Sequence, residues 1–137
     1  MGYVSKAILE KVVAAVSEAS QLNQWRNTSY VIDWFKSIEH KSHSRFVKFD
    51  ICDFYPSISE SLFDRGIAFA RTMTETELNI IKHARKSLLF SNVGTWSKKC
   101  DDQFDVTMGS FDGAEVCELV GLYLLNRLVP LIGKSSV

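Results

Sequence analysis

The sequence predicts an α+β chain that is mostly helical, on three observations. Five stretches repeat apolar residues every three or four positions, as one face of a helix does. Residues 45–51 are rich in β-favouring side chains, and the stretch 94–110 has strand-like ends around a polar middle. With 137 residues, 46% of them hydrophobic, the chain suits one sizeable core and is too short for two ordinary domains, so one compact unit is expected.

The first two helices are predicted from their apolar stripes and their ends. Residues 5–22 form an amphipathic helix with Ser5 as its N-cap. Its stripe consists of Ile8, Val12, Ala15, Val16 and Ala19. The second helix follows Asn27-Thr28 and ends near Lys41, where a cation is favourable. Its stripe consists of Tyr30, Val31, Trp34, Phe35 and Ile38. The aromatic residues Trp25, Trp34 and Phe35 are expected to lie in the core rather than to stack on bases.

Two later helices are predicted to begin at capping boxes, in which a hydroxyl side chain and an acid three residues on satisfy free backbone N–H groups. Ser57-x-x-Glu60 opens the first, which continues to about residue 70. Thr74-x-x-Glu77 opens the second, which continues through Ile81, Arg85 and Leu88. A short link therefore separates two helices.

The last third of the sequence predicts a hairpin and one long helix. The hairpin would turn at Lys99–Gln103, where polar, turn-forming residues collect. The helix would be capped by Asp112-x-x-Glu115 and ended by Pro130 and Gly133. The predicted fold is thus several helices with a small antiparallel sheet.

Charge and cysteine content exclude several classes of protein. Sixteen basic and sixteen acidic residues give a formal net charge of zero. The excess of positive charge that is typical of a stand-alone nucleic-acid binder is therefore missing. Three cysteines without paired spacing predict neither a disulfide framework nor structural zinc. No signal peptide and no apolar run of roughly 20 residues is present, which favours an intracellular protein, cytoplasmic or nuclear, and no membrane partner.

Asp50 is the first candidate functional residue, because it ends the apolar run 45–51. A carboxylate at the end of a buried strand is costly unless it is paired or binds a cation, and Mg²⁺ is usually held by one or two carboxylates plus substrate phosphates. The structural alternative is that Asp50 or Asp53 caps the next helix or pairs with Lys48. The strand-end pattern alone does not distinguish a cation ligand from a helix cap or an ion pair.

The residues after Asp50 favour a binding site. Pro56 prevents further ladder bonding, so the chain must leave the strand with Phe54 and Tyr55 at the edge of the site. A turn there exposes N–H groups toward an anion, beside the helix that Ser57 is predicted to cap. A cation ligand, a phosphate-facing turn and a flat ring thus occur within six residues, as a nucleotidyl-transfer site requires.

Two segments resemble motifs of reverse transcriptases, and of mobile-element enzymes such as the Penelope-like group in particular. Asp50-Ile51-Cys52-Asp53-Phe54-Tyr55-Pro56-Ser57-Ile58 is similar to motif A, which would span about 45–58. Met108-Gly109-Ser110-Phe111-Asp112-Gly113-Ala114-Glu115 is similar to motif B, a glycine loop opening a long helix, over about 106–128. Met108 stands where many members carry Gln. The resemblance covers most of residues 1–137 and implies part of a polymerase palm with adjoining finger helices.

The resemblance also implies roles for individual residues. Asp50 would bind both catalytic Mg²⁺ ions, and Ile51 would add its backbone carbonyl. The amides of Asp53 and Phe54 would face the triphosphate of the nucleotide. Tyr55 would be a steric gate that excludes the 2′-hydroxyl of ribonucleotides. Gly109 would let the backbone approach the templating base pair or the incoming nucleotide, because it has no Cβ.

The implied activity is template-directed nucleotidyl transfer by two Mg²⁺ ions, with an RNA or DNA template–primer and deoxynucleotides as partners. The family's motif C, a Tyr-x-Asp-Asp hairpin after motif B, is not found before Val137. Asp101-Asp102 precedes motif B and is interpreted as part of a turn. Without motif C and the fingers, the chain is expected to be an inactive piece of a retrotransposon RNA-directed DNA polymerase. Alone it is expected to bind Mg²⁺ weakly or not at all.

Two alternatives remain open. B-family DNA polymerases also place Asp five residues before a Tyr-Pro-Ser-Ile string, but their Asn-Ser-x-Tyr-Gly motif has no counterpart here. The second alternative is a non-enzymatic helical interaction module in which Asp50 and Asp53 merely cap a helix. A longer reading frame would separate the three. An aromatic-x-Asp-Asp hairpin soon after residue 137 would support the reverse transcriptase, Asn-Ser-x-Tyr-Gly would support the B family, and neither motif would support the module.

Overall fold

The computed structural model describes residues 1–22, 25, 27–46, 48, 50–86, 88–97 and 104–132. These residues are mostly helical, as predicted, and the strands among them form one two-stranded antiparallel sheet. The chain divides into two compact units, one of Met1–Leu22 with Asp53–Val137 and the other of Asn23–Cys52. The expectation of one compact unit is therefore wrong.

Six α-helices lie in the described part of the chain. They are α1 (Gly2–Ser20), α2 (Thr28–Ser37), α3 (Phe54–Ser57), α4 (Glu60–Ala70), α5 (Glu75–Ala84) and α6 (Gly113–Ile132). A 3₁₀ helix spans Lys41–His43. None of the helices in the described residues is long and apolar enough to cross a membrane.

The core of the first unit lies among α1, α4, α5 and α6. Helix α1 packs against the other three, and α4 also packs against α6. The fully or nearly fully buried side chains include Leu9, Val13, Val16, Phe63, Ile81, Val116, Leu119, Val120 and Leu122. Burial of this apolar surface, at about 25 cal/mol per Å², is the main force that holds the helices together.

Two of the predicted helix starts are confirmed. The side chain of Asn27 accepts hydrogen bonds from the amides of Ser29 and Tyr30 at the start of α2. Thr74 and Glu77 form the predicted capping box of α5, with Glu77 Oε2 2.9 Å from the Thr74 amide. These caps were predictable because each is a local exchange of hydrogen bonds.

Two predicted caps are wrong. Ser59 caps α4 by accepting from the Leu62 amide, 3.2 Å away, whereas Ser57 belongs to α3. Ser5 is an interior residue of α1, which begins at Gly2, and Ser5 is fully buried. In both cases a hydroxyl that looked like a cap in sequence has another partner.

The hairpin forms earlier in the chain than predicted. Strand β1 (Leu88–Ser91) pairs with β2 (Gly94–Ser97), with Ser91 opposite Gly94. Leu88 is therefore a strand residue and not the end of α5, since α5 stops at Ala84. The predicted turn at 99–103, with Asp101-Asp102, lies outside the described residues.

The predicted buried strand at 45–51 is wrong. The described residues of this run have no strand geometry, and Phe46 and Ile51 are 50% and 55% exposed. A strand needs a partner for its backbone hydrogen bonds, and in the described part of the chain β1 and β2 pair only with each other. Its residues 47 and 49 lie outside the described set.

Helix α6 continues through Pro130 to Ile132, so the prediction that Pro130 ends it is wrong. Proline cannot donate to the carbonyl four residues earlier, but near the last turn this costs only one bond of a 20-residue helix. Gly133, the second predicted terminator, lies outside the described residues.

The second unit contains α2 and an aromatic cluster. The ring centroids of Trp25 and Trp34 are 4.8 Å apart, and Phe46 lies 6.1 Å from Trp34 and 5.5 Å from Phe35. No residue of α2 is buried, and Trp25 and Phe35 are 43% and 44% exposed. The expectation that Trp25, Trp34 and Phe35 are core residues is therefore wrong. Such clusters add modest stability to a small unit.

Candidate functional site

The candidate residues are divided between the two units. Asp50 and Ile51 belong to the second unit, and both are exposed. Asp53, Phe54, Tyr55 and Gly109 belong to the first unit. Because the Asp50 carboxylate is exposed, burial gives no reason for it to bind a cation, and its assignment depends on the motif A resemblance.

The chain turns sharply within the segment 45–58, between Asp53 and Ser57. Asp53 adopts the left-handed conformation with φ of 51°, which costs about 1–2 kcal/mol for most residues but is tolerated by aspartate. Its carbonyl accepts from the Ser57 amide at 3.0 Å and from the Ser57 hydroxyl at 2.7 Å. Ile58, 3% exposed, fixes the end of this turn in the core.

Tyr55 lies in α3, the short helix that follows the turn at Asp53. Helix α3 contacts α6, and Tyr55 is a partly buried residue packed against the core. Burial raises the pKa of the Cys117 thiol on α6 to about 11, while a hydrogen bond from Tyr55 opposes that rise. The thiol is therefore neutral at physiological pH, and the Tyr55 hydroxyl lies beside it.

A glycine loop, defined here as residues 107–112, leads into α6. Gly109 has φ of +85°, a conformation that residues with a side chain rarely adopt, and no atom lies within 4 Å of where its Cβ would be. Met108 beside it is 78% exposed. The tip of the glycine loop is therefore open backbone, which an approaching flat group could reach.

The outer side of the glycine loop lies against the start of α1. The Phe111 ring is 3.8 Å from the Tyr3 ring between centroids, and Lys6 Nζ is 5.5 Å from the Phe111 centroid. Lys6 also pairs with Glu115 on α6 at 3.3 Å. An exposed aromatic pair and a cation thus border the glycine loop.

A buried polar network anchors the inner side of the glycine loop. The Arg85 guanidinium donates from Nη1 to Ser110 Oγ at 2.9 Å and from Nη2 to the Asp112 carboxylate. The Ser5 hydroxyl donates to the other oxygen of Asp112. Arg85 and Asp112 are 6% and 0% exposed, so this ion pair is sheltered from water and from salt screening.

Three basic residues, Lys82, Arg85 and Lys86, lie near the end of α5, and their sequence pattern predicts a solvated helix face. The structure differs from this prediction. Arg85 is buried in the network, whereas Lys86 is exposed. Lys82 Nζ lies 2.8 Å from Asp64 and 2.9 Å from Glu60, and the hydrogen bond to Asp64 raises the pKa of Lys82. Two of these three cations are already paired inside the chain.

Sequence reasoning missed Ser5, Arg85, Ser110 and Asp112 as a connected group. The available signal was periodicity, because Ser5 lies one helical turn before Leu9 and Arg85 lies one turn after Ile81, both of which are buried. A polar residue on an apolar stripe must find a partner. The identity of that partner depends on tertiary packing between distant segments.

Within the described residues there is no group of three or more His, Cys, Asp or Glu side chains placed to hold a metal ion. A magnesium site of the expected type needs only one or two protein carboxylates, with water and phosphate supplying the other oxygens. The exposed carboxylate of Asp50 has the donor chemistry for that role.

The chain matches no protein-family model, no curated protein and no solved structure. Its function is therefore inferred from its own residues.

Proposed function

We propose that this chain is part of an RNA-directed DNA polymerase of a mobile element, with residues 45–58 and 106–128 as its motifs A and B. The observation that carries the proposal is the contact between α3 and α6, because it joins the turn of motif A to the helix of motif B. A nucleotide site built from these two segments requires that contact. The left-handed Gly109 before α6 is a second supporting feature.

In this proposal the residues of the chain hold and orient the nucleotide. Asp50, with the Ile51 carbonyl, supplies oxygen ligands for Mg²⁺, and the Asp53 and Phe54 amides face the triphosphate. Tyr55, anchored beside Cys117, lies under the sugar. Bound Mg²⁺ ions would activate the primer 3′-hydroxyl and stabilise the leaving pyrophosphate.

The metal role of Asp50 can be tested on the chain itself with Mn²⁺, a paramagnetic substitute for Mg²⁺. We expect low Mn²⁺ concentrations to broaden the amide signals of residues 50–54 before others, and Asp50→Asn to abolish this broadening. Asp33→Asn, which changes an exposed aspartate of α2, is the matched control and should leave it intact. Broadening that persists in Asp50→Asn would contradict the assignment.

The same substitution has a larger consequence in a protein that carries this segment together with an aromatic-x-Asp-Asp hairpin. There we expect Asp50→Asn to remove Mg²⁺-dependent primer extension completely, since both ions lose a shared ligand. Extension of a labelled primer by deoxynucleotides is the measurement. Undiminished extension would exclude Asp50 from the metal site and favour the non-enzymatic module.

Tyr55 is expected to control sugar selectivity in that protein. Tyr55→Ala should reduce the preference for deoxynucleotides over ribonucleotides by about tenfold or more, because the group that collides with the 2′-hydroxyl is gone. Tyr55→Phe keeps the ring, loses only the hydroxyl group, and should retain the preference. Equal selectivity in the wild type and Tyr55→Ala would remove the gate role.

A further inference from the structure

We infer that Arg85 is a positioning residue that fixes the conformation of the glycine loop through Ser110. The evidence is a set of contacts from this one residue to the segment 105–112. The Arg85 carbonyl accepts from the Asp105 amide at 3.0 Å, while its guanidinium reaches Ser110 and Asp112. Arg85 therefore holds the segment at its beginning and at its end.

The chemistry of the guanidinium makes these contacts geometrically restrictive. Arginine presents its N–H groups in a rigid planar fork, so binding Ser110 and Asp112 together fixes the spacing of the two side chains. Asp112 is in turn fixed by the Ser5 hydroxyl of α1. The fork is thus oriented by Asp112, which α1 in turn holds through Ser5.

The space around Ser110 is equally restricted. A Cβ at Gly113 would clash with Ser110 Oγ and lie 3.1 Å from the Thr107 carbonyl oxygen. The Ser110 amide donates to that same carbonyl at 3.0 Å, and the Gly113 amide donates to the Ser110 carbonyl at 3.2 Å. Because Gly113 has no Cβ, the Ser110 side chain has space to point inward toward Arg85.

Ser110 is the contact between this network and the exposed tip of the glycine loop. Gly109 precedes it directly, and the position of the Gly109 backbone follows from where Ser110 is held. The next step rests on the proposed function. In that function, the network presents the Gly109 backbone to the nucleotide or the templating base pair.

Two hydroxyl deletions in the same network separate positioning from general stability. Ser110→Ala removes the contact between Arg85 and Ser110, beside Gly109, and leaves the contact to Asp112. Ser5→Ala removes a hydrogen bond to Asp112, at the end of the glycine loop away from Gly109. NMR order parameters of the backbone amides are the readout, because they report local mobility and need no nucleotide. Thermal unfolding of each variant measures the loss of stability that both substitutions are expected to cause.

We expect the Gly109 and Ser110 amides to have order parameters near ~0.85 in the wild type and below ~0.6 in Ser110→Ala. Ser5→Ala should lower the unfolding temperature and leave these two amides at the wild-type value. Equal mobility in the two variants, or a glycine loop already mobile in the wild type, would overturn the inference.

Arg85→Lys provides a second variant, because lysine keeps the charge and loses the planar fork. We expect it to mobilise Gly109 as Ser110→Ala does, and a rigid loop in this variant would also overturn the inference. None of these outcomes depends on polymerase activity, so failure of the Asp50 experiments would leave the positioning role standing.

Discussion

Replacing Asp112 by alanine is expected to lower the free energy of unfolding by about 3–5 kcal/mol, because it leaves the Arg85 charge buried without its partner. Denaturant unfolding followed by circular dichroism measures the loss. Glu75→Ala is the matched control, since Glu75 is an exposed acid in the first turn of α5. It should cost less than ~1 kcal/mol.

A double variant tests whether the loss comes from the unpaired charge. Arg85→Met removes the cation, and combining it with Asp112→Ala should destabilise the chain much less than the sum of the two single changes. The coupling free energy from this double-mutant cycle should be about 1–3 kcal/mol. Additive losses would mean that Arg85 and Asp112 contribute to stability independently.

Replacing Phe63 by alanine is expected to cost a similar amount, about 3–5 kcal/mol, for an apolar reason. Phe63 is 0% exposed on α4, and its ring centroid lies 5.3 Å from that of Phe104. Truncation leaves a cavity among packed helices, which cannot collapse fully. The same denaturant unfolding experiment measures the effect.

The control for Phe63 is Phe111→Ala, which truncates an exposed ring of the same size. It should cost less than half as much, because Phe111 is already 46% exposed to water. A milder change, Phe63→Leu, should cost under ~1.5 kcal/mol if volume is what the site requires. Equal losses for Phe63→Ala and Phe111→Ala would contradict the assignment of Phe63 to the core.

The features that the sequence predicts well are local ones. The Asn27 cap and the Thr74–Glu77 capping box each depend on residues within one helical turn, and both are present. The mainly helical character likewise follows from apolar repeats within single segments. Such patterns contain all the information that the local structure requires.

The failures concern partners that are distant in the sequence. Residues 45–51 have the composition of a strand, but composition does not supply a neighbouring strand. Leu88 fits the periodicity of α5, yet it pairs opposite Ser97 in the hairpin. Arg85 was classed with surface cations because its buried partner Asp112 is 27 residues away.

In the candidate site, too, local features were predictable and contacts between distant segments were not. The turn after Asp53 and the left-handed Gly109 were predictable in kind, from the proline and from the glycine. The Tyr55–Cys117 contact and the Arg85 network were not, because they depend on how α3, α5 and α6 pack. The roles of Asp50 and Ile51 in metal binding remain predictions.

The discontinuity of the first unit has a consequence for its biosynthesis. Helix α1 is translated before α4, α5 and α6, whose side chains cover it, and residues 21–132 take roughly 6–22 s at ribosomal speeds of ~5–20 residues per second. Until then Leu9 and Val13, which are buried in the folded unit, are exposed to water or bound by a chaperone. The nascent chain should therefore be most prone to aggregation before α6 emerges, and slower translation would lengthen that period of exposure.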